Sequence, residues 1–329
     1  MFGKKAAASI IERSAETESD RRKFLRSAGL AGLGVVGAST LGAGVAHADV
    51  STDAAALSDA TVLNFALNLE YLEANFYLQA VYGKDLPDSM TGGKGSQGGV
   101  RGGHRVPFRS RTLSQYAREI AQDEYEHVKF LRAGLGGAAV AQPAIDLKAS
   151  FTAAARAAGL IGSHKHFDAF ECEENFLLAA FLFEDVGVTA YKGAAPLIDN
   201  KTYLEAAAGI LAAEAYHAST IRTSIYEHRG GGGILGDLLG FGGGSHKLRR
   251  AANKLSDARD ALDNSTDDDQ GVERHDRANI VPTDKFGKAF SRTPGDVLNI
   301  VYLTPDEATS GGFFPKGVNG QVNTSSAKS

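Results

Sequence analysis

The sequence predicts an all-α protein organised around a four-helix bundle. Three observations carry that prediction. Four long segments place apolar residues at the 3.6-residue period of a core-facing helix. Glycine-rich stretches separate or follow them. The second pair of segments also repeats the residue pattern of the first, the sign of a duplicated helix pair.

The first helix is expected over residues 58–82, where Leu63, Phe65, Ala66, Leu69, Leu72, Phe76 and Tyr77 set the apolar rhythm. Residues 83–111 form a polar loop too rich in glycine for regular structure. The second helix is expected over 112–133, with Thr112 and Gln115 as a capping box and Gly134 and Gly136 as the stop. A connector with a short helix at 150–158 leads to the third helix, 169–193, and the fourth, 201–228. The run at 230–244 lacks the Lys-Ser/Thr and the preceding strand of a phosphate loop, and reads as a flexible linker. An additional polar helix over 245–263 puts Leu248, Ala252, Leu255 and Leu262 on one side. Residues 265–329 read as an irregular tail. It holds one short helix at Thr293–Leu303, started by Thr293 or Asp296, and a frayed end from Asn323 to Ser329.

The N-terminus carries its own signal. Arg21-Arg22-Lys23 precedes a Gly- and Ala-rich apolar stretch, and Ala46-His47-Ala48 offers a small-x-small cleavage site. The order is that of a secretory signal, and the arginine pair resembles the twin-arginine export signal. The expected division is a signal at 1–48, the bundle at 49–229, the linker at 230–245 and an extension at 246–329. The mature chain is then expected in the periplasm, or exported, without stable membrane insertion. Cleavage removes seven basic and four acidic residues from the 35 and 39 of the full chain, leaving 28 and 35 and a net charge of -7. Such a balance gives no reason to expect nucleic acid as a partner. A single cysteine, Cys172, excludes an intrachain disulfide and any Cys-rich metal site.

The chemistry lies in the repeat. A shift of 114 residues carries Glu70 onto Glu184 and Tyr77 onto Tyr191. A shift of 90 carries Glu124 onto Glu214, His127 onto His217 and Arg132 onto Arg222. Each half therefore has Glu-x6-Tyr on one helix and Glu-x-x-His on the next. Positions three, four and seven apart share a helix face, and at those spacings Glu124 is flanked by Ala117, Ile120, Val128 and Leu131. Glu70, Glu184 and Glu214 have equally apolar flanks, so all four carboxylates should face the core. Glu73 has apolar flanks too, but only Glu70 has tyrosine seven residues on. Asp185 and Glu126 are expected in solvent or behind the ligands, and His164 and His166 at the surface. Tyr77 and Tyr191 are placed either to hydrogen-bond a ligand carboxylate or to pack in the core with a satisfied hydroxyl.

A lone buried carboxylate is costly, and four converging ones repel one another. Two divalent cations balance their charge, and the Glu-x-x-His spacing lets both groups bind one ion. A Glu from each of two helices with Glu-x-x-His from each of the other two is the donor set of di-metal carboxylate bundles. The metal ligands read from the sequence are Glu70, Glu124, His127, Glu184, Glu214 and His217. Oxygen and nitrogen donors of this kind suit two iron or manganese ions.

With those motifs the chain resembles the ferritin-like superfamily over about residues 58–228. Arg292-Thr293-Pro294, Val297 to Tyr302 and Gly311-Gly312-Phe313-Phe314-Pro315 resemble the subgroup related to plant desiccation-related proteins. The resemblance implies a di-iron or di-manganese centre that reacts with dioxygen or peroxide, as an oxidase or a catalase does. It equally implies an alternative, a non-catalytic, stress-associated protective or metal-binding envelope protein. Cage-type iron storage fits less well with the long loop and extension. Haem ligated by methionine is not expected, since Met1 and Met90 both lie off the bundle helices. The oligomeric state stays open, a homodimer among the options.

Overall fold

A computed structural model describes residues 57–228 and 245–327. The signal segment and the Gly-rich linker lie outside the described residues. Four long helices form the bundle: α1 (Asp59–Tyr82), α2 (Arg111–Leu135), α4 (Glu173–Ala194) and α5 (Lys201–Glu227). The short α3 (Ala149–Ala157) lies in the crossover between the two pairs. The extension contributes α6 (Ser245–Asp260) and α7 (Pro294–Tyr302). Strands are vestigial: β1 (Val100–Arg101) pairs in parallel with β2 (Ile145–Asp146), and β3 (Glu273–Arg274) pairs antiparallel with β4 (Arg277–Ala278). No described helix is long and apolar enough to cross a membrane.

Local chemistry sets the helix starts. The Ser58 hydroxyl accepts from the Thr61 amide at the head of α1, and Gly83, in the left-handed region, ends it. At α2 the cap is Ser110, which accepts from the Leu113 amide at 3.1 Å, and not the expected Thr112. One Glu173 oxygen accepts the Arg109 and Ser110 amides, both at 2.9 Å, and so anchors this earlier start. The third bundle helix begins at Glu173 rather than 169. The Asp168 side chain accepts the Phe170 amide at 2.9 Å and holds that segment in a turn. Asn200 caps α5, and Thr293 with Asp296 forms a full capping box on α7.

Helix α1 packs on α2 and α4 packs on α5, with α1 also meeting α4 and α2 meeting α5. Both α1 and α4 are buried on nearly every face. Apolar rings join the layers: Phe76 of α1 lies 5.6 Å from Phe151, 5.6 Å from Phe176 and 5.4 Å from Phe183. Phe313 of the tail closes on Phe183 at 4.9 Å.

The extension is more ordered than its composition suggests. The expected frayed end is pinned as far as Ser326. The Ser325 amide donates to the Ala308 carbonyl at 2.8 Å, and Asn299 donates to the Ser326 carbonyl at 2.8 Å. Leu248, Ala252 and Leu255 bury the apolar side of α6, while Leu262 lies just beyond the helix end. Three arginines are buried where α4, α5 and the extension meet. Asp185 accepts from Arg222 at 2.7 Å and from Arg259 at 2.8 Å. Asp269 accepts from Arg259 at 2.7 Å and from Arg292 at 3.0 Å, and Asp263 accepts from Arg292 at 2.6 Å. Three cations and three carboxylates neutralise one another. Breaking a buried pair leaves uncompensated charge and costs about 3–5 kcal/mol. Asp269→Ala, which strips a partner from two arginines, should lower unfolding free energy by about that amount in a denaturant titration.

Candidate metal centre

The four helices carry their acids to one level of the bundle. Glu70, Glu124, Glu184 and Glu214 are each at most 1% exposed, and His127 and His217 complete the ring. His127 Nδ1 lies 3.3 Å from Glu70, 3.5 Å from Glu124 and 3.7 Å from Glu214. His217 Nδ1 lies 3.1 Å from Glu124 and 3.6 Å from Glu184. Two ligand groups result. Donor atoms of Glu70, Glu124, His127 and Glu214 all fall within 4.8 Å of one another, and so do those of Glu124, Glu184 and His217. Glu124 belongs to both groups and is placed to bridge them. All six residues singled out in the sequence are brought together.

The arrangement is poorly satisfied by protein alone. One oxygen of Glu70 and of Glu184, both oxygens of Glu124 and Glu214, and Nδ1 of both histidines are buried without a hydrogen-bond partner. Native proteins rarely leave such groups orphaned. Eight orphaned oxygen and nitrogen atoms facing one space form a donor set able to hold metal.

Both tyrosines are buried in the core, and each hydroxyl is satisfied by one of the candidate carboxylates. Tyr77 of α1 donates to Glu184 of α4, and Tyr191 of α4 donates to Glu70 of α1. Each hydroxyl occupies one carboxylate oxygen and leaves the other turned to the site. The crossed pairs also make α1 and α4 antiparallel.

Three further residues belong to the site although the repeat did not select them. Asp123 accepts from His217 Nε2 at 3.1 Å, which fixes the imidazole so that Nδ1 faces the carboxylates. Its repeat partner is Ala213, so His127 has no equivalent. Glu73 is buried beside the cluster, with no hydrogen-bond or ion-pair partner among the described residues. Its repeat partner is Gly187. A Cβ at Gly187 would clash with the Glu214 carboxylate and stand 3.4 Å from Glu73, so the missing side chain makes room for both acids. These departures from the repeat were visible in the sequence only as mismatches. Glu126 is exposed, as are His164 and His166, while Asp185 lies behind Glu184 on Arg222 and Arg259. Tyr216 is 75% exposed, pointing away from the centre, and Tyr125 is half-buried.

Burial pushes the Glu70 carboxyl up to about 7 against the pull of His127, and Glu184 up to about 8 against that of His217. Burial, then mutual repulsion with other acids, drives Glu73 and Glu214 well above the ordinary range. Burial pushes Glu124 the same way, but the two histidines outweigh it and hold it well below. Desolvation opposes charge on the histidines. The acids around them prevail and raise His127 to about 12 and His217 to about 10. Without metal, protons and imidazolium charge hold the cluster together.

The ferritin-like domain family matches residues 58–227, which include all six candidate ligands and just over half of the chain. The chain belongs to the ferritin-like family. It is 30% identical over 270 residues to the desiccation-related protein PCC13-62 of Craterostigma plantagineum, covering 80% of this chain and 84% of that one. It is 26% identical over 280 residues to the ferritin-like catalase Nec2 of Nesocodon mauritianus, covering 80% and 85%. Residues 1–227 are too few to supply 80% of the chain, so the similarity runs into the extension. No solved structure matches the chain.

Two outcomes are expected of the centre. The raised acids bind more protons folded than unfolded between about pH 4.5 and 8, and the histidines add the same sign above 6.5. The metal-free protein should therefore lose stability as pH rises through that window, read as a falling midpoint of thermal unfolding after chelation. Gly187→Ala should displace Glu214 and weaken metal binding by roughly tenfold or more, measured by competition with a chelator.

Proposed function

We propose that this protein binds two iron or two manganese ions and uses them as a redox pair acting on dioxygen or peroxide. The observation that carries the reading is the convergence of eight orphaned donor atoms from six residues in two groups that share Glu124. Glu70, Glu124, His127 and Glu214 would hold one ion, and Glu124, Glu184 and His217 the other. Such a pair, when bound, supplies one electron from each ion, enough for the two-electron chemistry of peroxide. The chain's own residues do the rest. Tyr77 and Tyr191 hold the terminal carboxylates in place, and Asp123 orients His217. Glu73, its carboxyl raised well above the ordinary range by burial, stands next to the ligands and would serve as a proton donor. A relative named as a ferritin-like catalase supports peroxide as the substrate.

A second reading has its own support, since the 30% identical relative is named for desiccation. In that case the metals would be structural or sequestered in a protective protein. The N-terminal pattern, Arg21-Arg22 to Ala48, supports export through the twin-arginine route under either reading.

Glu124→Ala combined with Glu214→Ala should abolish binding of both ions. Wild-type protein loaded with manganese or iron should evolve oxygen from hydrogen peroxide at an electrode, and the double variant should not. Metal-loaded wild type without peroxide turnover would favour the protective reading. Two ions retained by the double variant would remove the site assignment.

A further inference from the structure

A cleft that shares no lining residue with the candidate centre opens where the exit of β1, the head of α3 and the segment before α4 meet. Its volume is about 500 Å³, in the range of small-molecule sites. The charged side chains that line it are Arg101, His104, Lys148, Arg156, His166 and Asp168, five basic groups against one acid.

Local bonding fixes this lining. β1 lies in parallel beside β2, and Arg101 meets the buried Asp146 at 3.0 Å. The same Asp146 accepts the Lys148 and Ala149 amides at 2.8 and 2.6 Å and so starts α3. Gly102 passes close to that start. A Cβ on it would stand 2.8 Å from the Lys148 Cβ, and its φ of +87° favours glycine. Further along α3, the Thr152 hydroxyl donates to the Phe167 carbonyl at 3.1 Å and accepts the Phe167 amide at 3.2 Å. That clamp holds His166 and Asp168, on either side of Phe167, against the helix.

The charges around the cleft do not balance. Asp146 answers Arg101, and Asp168 answers His104 at 3.0 Å. The Arg156 guanidinium donates to the Lys165 carbonyl, at 2.7 and 3.2 Å, and to no carboxylate among the described residues. Lys148 and His166 likewise have no acidic partner among the described residues. Two permanent positive charges, with an imidazole beside them, therefore line one cleft without a counter-charge. Clefts of a single sign concentrate ligands of the other. The deficit is that of a dianion. A phosphate monoester carries about 1.5 to 2 negative charges near neutral pH and three strong acceptor oxygens. Guanidinium and ammonium groups are suited to it, the first by its planar fork and the second as a point charge.

We propose that this cleft binds a phosphate monoester, with Lys148 and Arg156 as its charge partners and His166 as a further hydrogen-bond donor. The site stands apart from the di-metal reading and does not depend on it. A soluble organic phosphate and the phosphate of a lipid headgroup present the same chemistry to these side chains.

Calorimetric titration of the intact protein with glycerol 3-phosphate, once metal-loaded and once after chelation, tests the site. One molecule per chain should bind in both forms. Lys148→Glu combined with Arg156→Gln should weaken binding roughly tenfold or more. Lys148→Arg should preserve it, which separates lost charge from lost fold. Lys129→Glu, a charge reversal at an exposed position of α2, should leave it unchanged. Co-sedimentation with phosphatidylcholine vesicles containing phosphatidic acid separates the two sources. Vesicle binding that the double variant loses, without binding of glycerol 3-phosphate, would place a lipid headgroup in the cleft. Three results would overturn the proposal and leave the candidate centre standing: binding of neither probe, equal weakening by Lys129→Glu, or binding of glycerol 3-phosphate by the metal-loaded form alone.

Discussion

The structure depends on the burial of four glutamates at one level of a helical bundle. An isolated carboxylate in such a place would take up a proton or draw in a counter-charge. Here the helices supply only two histidines and two tyrosine hydroxyls against four carboxylates, and eight polar atoms are left without partners. Most of the local sequence follows from that shortage. The apolar stripes bury the acids, the tyrosines satisfy one oxygen of each terminal glutamate, and Gly187 leaves room for Glu214. A purely structural core would have no reason to accumulate charge in this way.

The two-fold repeat organises the centre but does not make it symmetric. Glu70 and Glu184 exchange tyrosine partners as the repeat requires. Asp123 supports only His217, and Glu73 sits opposite a glycine. His217 thus has an anion behind it and a solvent-open groove beside it. The other side is bounded by an apolar gap and the buried Glu73. Asymmetry of this kind gives two similar donor sets different surroundings.

The convergence of the six candidate residues was legible in the sequence because a repeat and an apolar face constrain the same residues independently. What surrounds them was not. Asp123 looks like an ordinary surface residue of an amphipathic helix, and only the approach of α5 gives it a partner. The shift of the α2 cap from Thr112 to Ser110 depends on Glu173, 63 residues further along the chain. The tail was read as irregular, and it is, yet irregular backbone need not be loose. Arg259 and Arg292 reach Asp185 and Asp269 only after the chain has crossed the bundle, and no local pattern announces a buried ion network. Lying against α4 immediately behind Glu184, that network ties the extension to the helix that carries this candidate ligand.

The central claim is that this cluster of acids exists to hold a pair of redox metals. The most direct measurement is elemental analysis of the mature protein purified from its native compartment without added metal. The account predicts about two iron or manganese atoms per chain. Protein that is folded, pure and devoid of both metals, or that carries only a trace of zinc, would contradict it.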